Sequence, residues 1–521
     1  MTAGGSMPYH YNLVDSPWIP CLELDGRLRV LSLSEALRQA GEIEAVVADS
    51  PLETGAIMRL LLAVLYAALR GPRNGAEWAE LWRARSWDQP WMRDYLARWH
   101  DRFDLLATDY PIYQFPSWVV GAKEHPLSVL GLADASGNNP TLFDHRVDRE
   151  GQPLTAAQAA RALVTAQTFD LGGTAGPGRP TFHDAPWARG VIFVPQGHNL
   201  FESTCLALVR YDPQNGVPRP FGTSLKDRPA WEMEDPYQPE RRVPIGYLDY
   251  LTWQSRKIRL IPEGDGQDPL VRAVRWAPGL TMSQDVIDPY KHYQRSSAGY
   301  RPLLWSQGRA LWRDEASLLQ FRGYDTDTTR PPAVLRWLAD LEQREKIDLG
   351  HTLALTALGM ASERGWRKVH FWRLEHLPLP TAYVTDERLV GDLTEALSFA
   401  EAVWRRLASA ARKMADSLLG RSSQARKPAL RDPAGSLLAT WGVEEQFWAP
   451  LEREFYSLLQ ALPARGNDAV AAWEKAVERR AWEALGDAES QIRRDGRGLK
   501  ASALGRSALA SGLKELVRRI D

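Results

Sequence analysis

The chain has 521 residues, 44% hydrophobic and 25% charged, which is typical of a folded globular protein of roughly two or three domains. A formal net charge of −1 excludes a protein that is basic overall, so any nucleic-acid-binding surface must be a local patch. Two cysteines far apart, Cys21 and Cys205, exclude a disulfide framework or a cysteine-rich zinc site and fit a reducing cytoplasm.

Neither a secretory signal nor a membrane span is predicted. The first residues, "MTAGGSMPYHYN", lack the charged and apolar regions of a signal peptide. The longest apolar run, Leu60 to Leu69, is bounded by Arg59 and Arg70, and a bilayer requires about 20 residues. We therefore expect a cytoplasmic protein without a membrane partner.

The first hundred residues predict one hairpin followed by helices. "YNLVDSPWIPCLELDGRLRVLSL" indicates two short strands around the turn Asp25-Gly26. "SPLETGAIMRLLLAVLYAALRGP" predicts a helix in which Ser50 is the N-cap, Glu53 completes a capping box, and Gly71-Pro72 ends it. "GAEWAELWRARSWDQPWMRDYLARWHDRF" predicts helical structure interrupted by a proline.

The middle and the end of the chain differ in character. Residues 105 to 300 mix short strands, such as "RGVIFVP" and "RKIRLIP", with loops rich in proline and glycine. Four amphipathic helices follow, and the first carries one apolar stripe: Leu393, Leu397, Ala400, Trp404, Leu407, Ala411, Met414 and Leu418, closed by Gly420. The predicted class is α+β, with a large mixed domain over 1–380 that has many loops and a C-terminal four-helix bundle over 381–521.

Catalytic motifs are missing from the sequence. There is no Walker-type phosphate loop, nucleophile elbow or H-E-x-x-H pair. His370 and His376 lie six residues apart in a predicted strand, where two half-exposed histidines explain them better than a metal pair. Asp325 and Asp327 in "GYDTDTTRP" suit either a hard cation or a solvated turn. We predict no catalytic residue, metal or cofactor; the alternative is a metal-dependent nuclease or hydrolase built on these two aspartates.

The segment "DLGGTAGPGRP", from Asp170 to Pro180, holds four glycines and two prolines. Glycine lacks a Cβ, so another backbone or a ligand can approach it closely. This composition fits an ordinary surface turn, and it also fits a loop that lies against a phosphate or a nucleic-acid groove.

Several stretches together resemble one family. They are "YNLVDSPWIP", "DRFDLLATDYPIYQFP", "GNNPTLFDH", the glycine-rich segment, "RALWRDEASLL" and "KVHFWRLEHLPLP". Their order and the chain length are similar to those of CasA, the large subunit of the type I-E CRISPR surveillance complex Cascade. The resemblance covers nearly the whole chain.

The resemblance implies a non-catalytic subunit of an RNA-guided DNA-binding complex used in antiviral defence. Guide pairing reads most of the target in such complexes, and protein reads only a short adjacent motif. The implied partners are the other Cascade subunits, the 5′ handle of the guide RNA, double-stranded target DNA with its displaced strand, and the Cas helicase–nuclease. A purely structural scaffold subunit is the second alternative.

The glycine-rich loop is implied to read the adjacent motif from the minor groove. That groove is only about 6 Å wide, so bare backbone fits where side chains would clash. The implied DNA-binding residues, with Arg179 on a phosphate, are Gly172, Gly173, Thr174, Ala175, Gly176, Gly178 and Arg179.

"SGNNPTLFDHR" matches the loop that is implied to hold the guide handle. Asn138 and Asn139 can hydrogen-bond phosphate or base edges, and Leu142 and Phe143 can pack on a splayed base. The alternative is an Asn-Pro turn followed by two side chains anchored in the core.

"SERGWRKVHF" occupies the place of the family's strand-separating wedge. Many relatives carry an amide side chain there, whereas this chain has Gly365, Trp366 and Arg367. A bulky apolar side chain can unstack a base step. A hairpin turn with Trp366 packed on the core is the alternative.

Basic side chains complete the implied interface. Some relatives carry a lysine in a loop after the strand matching "RKIRLIP"; this chain has none there, and Arg272 or Lys257 is the candidate replacement. Toward the C-terminus, either a solvated face or contact with a displaced strand explains a further basic set: Arg426, Lys427, Arg493, Arg494 and Arg497.

Overall fold

The structure is a computed structural model of the chain. It describes residues 9–118, 123–131, 153–174, 181–215, 217–218, 221, 225–237, 242–264, 268–283, 286–297, 299–306, 309–314, 329–344, 346–347, 352–362, 369–420 and 432–520.

Two compact units divide the chain. The N-terminal unit comprises Met1–Gln307 and Gly323–Leu379, and the C-terminal unit comprises Gly308–Arg322 and Pro380–Asp521. The C-terminal unit therefore draws on two separate segments of the sequence. The division into 1–380 and 381–521 stays a prediction from the sequence.

The described strands of the N-terminal unit form several small antiparallel sheets. These strands are β1 Ile19–Glu23, β2 Leu28–Leu31, β3 Ile43–Val46, β4 Leu154–Thr155, β5 Gly173–Thr174, β6 Thr181–Phe182, β7 Ile192–Gln196, β8 Arg256–Glu263, β9 Leu270–Pro278, β10 Tyr293–Ser296, β11 Gly299–Pro302, β12 Thr329–Arg330, β13 Thr352–Ser362 and β14 Val369–Pro380. Their orders are β2-β1-β3, β4-β9-β8, β11-β10-β12 and β14-β13-β7, with β5 and β6 as a separate pair.

Helices pack against several of these strands. The described α-helices of this unit are α1 Leu33–Arg38, α2 Pro51–Leu69, α3 Gly75–Ala84, α4 Pro90–Trp99, α5 Ala156–Phe169, α6 Leu200–Ala207, α7 Tyr247–Leu251 and α8 Ala333–Gln343. Among them, α6 packs against β7 and α2 packs against β13. The mixed α+β class is confirmed, as are the predicted strands β7, β8 and β14 and the break between α3 and α4 at Pro90.

The N-terminal hairpin and the helix α2 follow their local signals closely. Gly26 has a φ of 85° in the turn between β1 and β2, which a residue with a Cβ rarely adopts. The Ser50 hydroxyl accepts a hydrogen bond from the Glu53 amide at 3.2 Å. The reciprocal half of the predicted capping box is absent, because the Glu53 carboxylate turns toward Arg161, whose Nε lies 3.5 Å away.

Helix α2 is the core helix of this unit. Among the described helices it is the one long and apolar enough to cross a membrane, and 78% of that stretch is buried inside the structure. Its apolar residues thus pack against the rest of the unit, chiefly α5 and then α4, α7 and β13. Arg59 of this helix is buried as well, and its Nη2 donates to the Tyr250 carbonyl at 2.6 Å.

The C-terminal unit is a helical bundle, as predicted. Its described helices are α9 Ala382–Thr385, α10 Glu387–Leu418, α11 Pro433–Trp441, α12 Val443–Arg465, α13 Asn467–Ser490 and α14 Gly496–Ile520. The four long ones, α10, α12, α13 and α14, are the four helices that the sequence indicated.

The apolar stripe of α10 is buried except near Trp404 and Leu418. Leu393, Leu397 and Leu407 are buried, whereas Trp404 is only half-buried and stacks on Phe447 at a ring distance of 5.7 Å. The prediction that Trp404 is a core residue is therefore wrong. A helix turns every ~3.6 residues, so a stripe drawn at 3.5 drifts around it; Val403, which is fully buried, takes the central place.

The bundle core contains a side chain from far upstream. Trp312 lies in a short 3-10 turn, Leu311–Asp314, and is only 1% exposed. Its ring stacks on Phe455 at 4.9 Å and meets Trp473 edge-on at 6.3 Å. The adjacent Arg313 donates to Glu401 Oε1 of α10 at 2.6 Å. The segment 309–314 is thus an integral part of this unit.

We predict that Trp473→Ala destabilises the C-terminal unit by about 3–5 kcal/mol, the usual cost of truncating a fully buried aromatic side chain. Trp473 is 2% exposed, and its indole N–H donates to the Ala396 carbonyl at 2.8 Å. Trp404→Ala should be clearly milder, because that ring is partly in solvent. Calorimetric unfolding of both variants checks the ranking, and equal effects would contradict it.

Candidate nucleic-acid interface

A short antiparallel ladder flanks the glycine-rich loop. Gly173 pairs with Phe182, and Thr174 pairs with Thr181, as β5 and β6. The connecting residues 175–180, which include Ala175, Gly176, Gly178 and Arg179, lie outside the described residues. The structure therefore describes the base of this hairpin.

Gly172 is a glycine for reasons internal to the protein. A Cβ there would stand 2.9 Å from both the Asp184 nitrogen and the Phe182 oxygen, closer than real contacts allow. Its φ lies outside the left-handed region, so space and not backbone freedom decides the residue type. Its amide donates to Asp184 Oδ1 at 2.7 Å. Gly172 is also buried, so it is packed into the hairpin base.

Both sides of that base are held by one buried guanidinium. Arg256, at the start of β8, is 0% exposed, and its Nε donates to Asp170 Oδ2 at 2.5 Å. Its Nη2 donates to the Leu171 carbonyl at 3.0 Å, and its Nη1 donates to the His183 carbonyl at 2.7 Å. Residues before β5 and after β6 thus share one cation.

A second arginine joins this hairpin base to the end of β13. Arg189 Nε donates to Asp184 Oδ2 at 3.0 Å. Its Nη1 donates to the Ser362 hydroxyl at 2.6 Å. Ser362 is the last residue of β13, directly before the segment 363–368 that contains Gly365, Trp366 and Arg367. Those three wedge candidates lie outside the described residues, and Ser362 is the last described residue before them.

The sheet β4-β9-β8 contacts the hairpin base and the described segments that flank the predicted handle loop. Phe182 stacks on Trp276 of β9, with the ring centroids 4.0 Å apart. After the handle-loop segment in sequence, Leu154 pairs with Val271 of β9. The His125 amide donates to the Val274 carbonyl at 2.7 Å. Asn138, Asn139, Leu142 and Phe143 fall in 132–152, outside the described residues, between two segments that both pair with β9.

The two candidate replacements for the family lysine have different surroundings. Lys257 is half-buried, with its Nζ 4.5 Å from the centre of the Phe115 ring. Arg272 is exposed and donates to Glu124 Oε2 at 2.8 Å, so a carboxylate offsets its charge. No carboxylate forms an ion pair with Lys257 among the described residues, whereas Glu124 offsets the charge of Arg272.

The basic candidates of the C-terminal unit lie at the turn into α14. Arg493, Arg494 and Arg497 are exposed and form no ion pair within the part of the chain that the structure describes. Farther along α14, Arg506 is held by Glu489, with Nη2 2.6 Å from Oε2. Arg426 and Lys427 lie outside the described residues.

No metal-ligand cluster is found within the described ranges: no group of three or more His, Cys, Asp or Glu side chains is close enough to hold an ion. Asp325 and Asp327 are not among these residues. His370 and His376 both lie exposed on β14. The buried Cys21 and Cys205 are free thiols, and burial is the main cause that raises the pKa of Cys21 to about 12.

A family profile described as "CRISPR-associated protein Cse1" matches residues 12–484. The chain belongs to the Cse1 family. A CasA/Cse1 protein of Thermus thermophilus is 32% identical over 515 residues, which cover 97% of this chain and 98% of that relative.

Solved Cse1 structures share the fold. Thermus thermophilus CasA superposes with a TM-score of 0.80 at 29% identity, covering 97% of this chain and 99% of that one. Thermobifida fusca Cse1 gives 0.77 at 25% identity, covering 97% and 98%. A chain in a structure titled "CRISPR RNA-guided surveillance complex" has the same fold, with a TM-score of 0.75 at 22% identity over 96% of this chain and all of that one.

Sequence reasoning missed the two arginines that organise this Cse1 chain. Arg256 stands at an inward-facing position of "RKIRLIP", where a charged residue requires a buried partner. Asp170, next to the glycine-rich segment, is that partner. The strand pattern therefore indicates that Arg256 needs a buried partner but not which residue supplies it, whereas Arg189 lies in a turn that nothing in the sequence distinguishes.

We predict that Arg256→Leu destabilises the N-terminal unit by about 3–5 kcal/mol, because it removes the buried cation that pairs with the Asp170 carboxylate. The double variant Asp170→Asn/Arg256→Leu should recover part of that loss. Thermal unfolding measures both.

Arg272→Gln is the matched control, since it breaks an exposed ion pair worth about 1 kcal/mol or less. An Arg256→Leu variant as stable as this control would show that the hairpin base does not depend on the buried pair.

Proposed function

We propose that this Cse1 chain is the target-recognition subunit of an RNA-guided surveillance complex and has no catalytic residue of its own. The observation that carries the proposal is the shared anchoring of two predicted DNA-contacting loops. Arg189 contacts both the base of the glycine-rich hairpin, through Asp184, and the end of β13, through Ser362. A loop that reads a base-pair step and a loop that opens the next one must stand side by side.

The glycine-rich loop reads the adjacent motif from the minor groove. A narrow groove of about 6 Å admits backbone better than side chains. Arg256 and Gly172 fix the hairpin base, so the tip of the loop is presented from a rigid support. Gly173, Thr174, Ala175, Gly176 and Gly178 form the contacting stretch, with Arg179 on a phosphate. Since the minor groove distinguishes base pairs poorly, this reading tolerates several motifs.

The segment at Gly365, Trp366 and Arg367 begins strand separation. An indole inserted at a base step unstacks it and kinks the duplex, which lets the guide begin to pair. The family's amide is replaced here by a larger aromatic side chain, so the wedge acts by bulk and not by hydrogen bonding.

The loop with Asn138, Asn139, Leu142 and Phe143 holds the 5′ handle of the guide RNA. Single-stranded RNA is recognised by stacking and by hydrogen bonds to unpaired base edges, which these amide and apolar side chains can provide. The two segments that flank this loop pair with β9, the strand on which Phe182 of the glycine-rich hairpin stacks. The loops that bind guide and target are therefore both attached to the sheet β4-β9-β8.

The C-terminal bundle interacts with the remaining partners. Arg493, Arg494 and Arg497 present unpaired positive charge at one end of α14, and together with Arg426 and Lys427 they contact the displaced strand. The chain as a whole also docks the neighbouring Cascade subunits and the Cas helicase–nuclease.

We predict that Gly176→Val abolishes discrimination between a duplex with the correct adjacent motif and one without it, because a branched side chain prevents close approach to the groove. Arg179→Ala should instead weaken the binding of both duplexes equally. It should also lower the slope of log K against log salt concentration by about one unit, as for the loss of one phosphate contact. Binding of both duplexes by the assembled complex over a salt series distinguishes the two effects.

Gly172→Ala is the structural control, because its Cβ would collide with the hairpin base; we expect a lower melting temperature. Gly176→Val should melt like the wild type. Full discrimination by Gly176→Val would refute the minor-groove role of the loop.

We also predict that Asn139→Ala combined with Phe143→Ala leaves the isolated protein folded and reduces its retention in the guide-bound complex. Both side chains are expected to contact RNA and not to support the core. Co-purification with the other subunits at moderate salt, beside a thermal melt of the isolated chain, measures the two properties. Equal retention of variant and wild type would count against the handle assignment.

A further inference from the structure

The outer face of β8 and β9 brings like charges together. In the register of this antiparallel pair, Arg259 is directly opposite Arg275. Lys257 lies two residues before Arg259 on the same face, and the alternating burial of β8 shows that this face points away from the core. Opposed residues in such a ladder have Cα atoms about 4.5–5.5 Å apart, and like charges placed there repel each other.

The protein compensates these charges only in part. Glu124 approaches Arg275 with 3.8 Å between Oε1 and Nη2, but its other oxygen is bound to Arg272 at 2.8 Å. Within the described part of the chain, no carboxylate forms an ion pair with Arg259. The exposed Asp109 acts on Arg259 only at a distance.

The environment of the two arginines is also unfavourable, since each has one buried nitrogen that the protein leaves unsatisfied. Arg259 Nη1 and Arg275 Nε are both buried and have no hydrogen-bond partner in the structure. Burial, and secondarily the charge of Arg275, lowers the pKa of Arg259. Two half-buried guanidiniums that are held against their mutual repulsion, with a charge that Glu124 offsets only in part, form a site that an anion would complete.

The surroundings indicate what kind of anion fits. Guanidinium forks match the oxygens of a phosphate, and two forks from opposite strands can share one phosphate group. Next to them, the Lys257 ammonium rests on the ring of Phe115. The same two strands support the glycine-rich hairpin through Arg256 and Trp276 and the flanks of the handle loop through Val271.

We propose that Arg259 and Arg275 together bind one phosphodiester group of a nucleic-acid backbone that crosses the outer face of β8 and β9. This inference rests on the proposed function, because a backbone reaches this face only if the flanking loops hold nucleic acid. The contact neutralises the Arg259–Arg275 repulsion and positions the strand without reading its sequence.

The test is the double variant Arg259→Gln/Arg275→Gln in the full chain. Its melting temperature should equal or exceed that of the wild type, because the variant removes a repulsive pair. In the assembled complex, the salt slope for target-duplex binding should fall by about one unit, equally for duplexes with and without the adjacent motif. The matched control is Arg73→Gln/Arg93→Gln, which removes the same charge from two exposed arginines of the same unit and should leave the slope unchanged.

A second measurement distinguishes RNA from DNA as the source of the phosphate. Retention of the subunit on the guide-bound complex is measured over a salt series without DNA. If the backbone belongs to the guide, this retention depends less steeply on salt in the double variant than in the wild type. A loss seen only with duplex assigns it to the target.

Unchanged slopes in both measurements, or a lower melting temperature of the double variant, would overturn the inference while the wild type still binds. A wild-type chain that joins no guide-bound complex and binds no target would overturn the proposed function, and this inference with it.

Discussion

The candidate interface depends on the burial of one cation. A guanidinium without solvent contact loses several kcal/mol of hydration, and only a full set of acceptors offsets that loss. Arg256 obtains its acceptors from Asp170, Leu171 and His183, residues that flank the glycine-rich hairpin. Neither side of the hairpin base can separate from β8 without removing an acceptor from the buried Arg256 guanidinium. The two ends of the loop are thereby held in place, although its own sequence is rich in glycine.

This arrangement combines rigid supports with permissive loops. Recognition loops generally work because a scaffold fixes their ends. Here the scaffold is a small sheet, since β9 pairs on one edge with β8 and on the other with the segments around His125 and Leu154. Arg189 extends it to the end of β13.

How far the sequence predicts this structure depends on the range of the signal. The Asp25-Gly26 turn and the Ser50 cap are local and were predicted correctly. The inward turn of Glu53 toward Arg161 and the pairing of Asp170 with Arg256 join residues distant in sequence, and no local pattern encodes them. For the candidate site, the resemblance to CasA only implied the loops, while the contacts of Arg256 and Arg189 around the hairpin base became visible only in three dimensions.

The indole of Trp312 has a consequence for how the chain is made. During synthesis this segment leaves the ribosome before any long helix of the bundle, and its partners Phe455 and Trp473 follow much later. In that interval a large apolar ring has no core to enter, and such exposed surface invites aggregation or chaperone binding. The C-terminal unit therefore cannot complete its core until nearly the whole polypeptide has emerged, and a fragment beginning after residue 380 would lack the ring altogether.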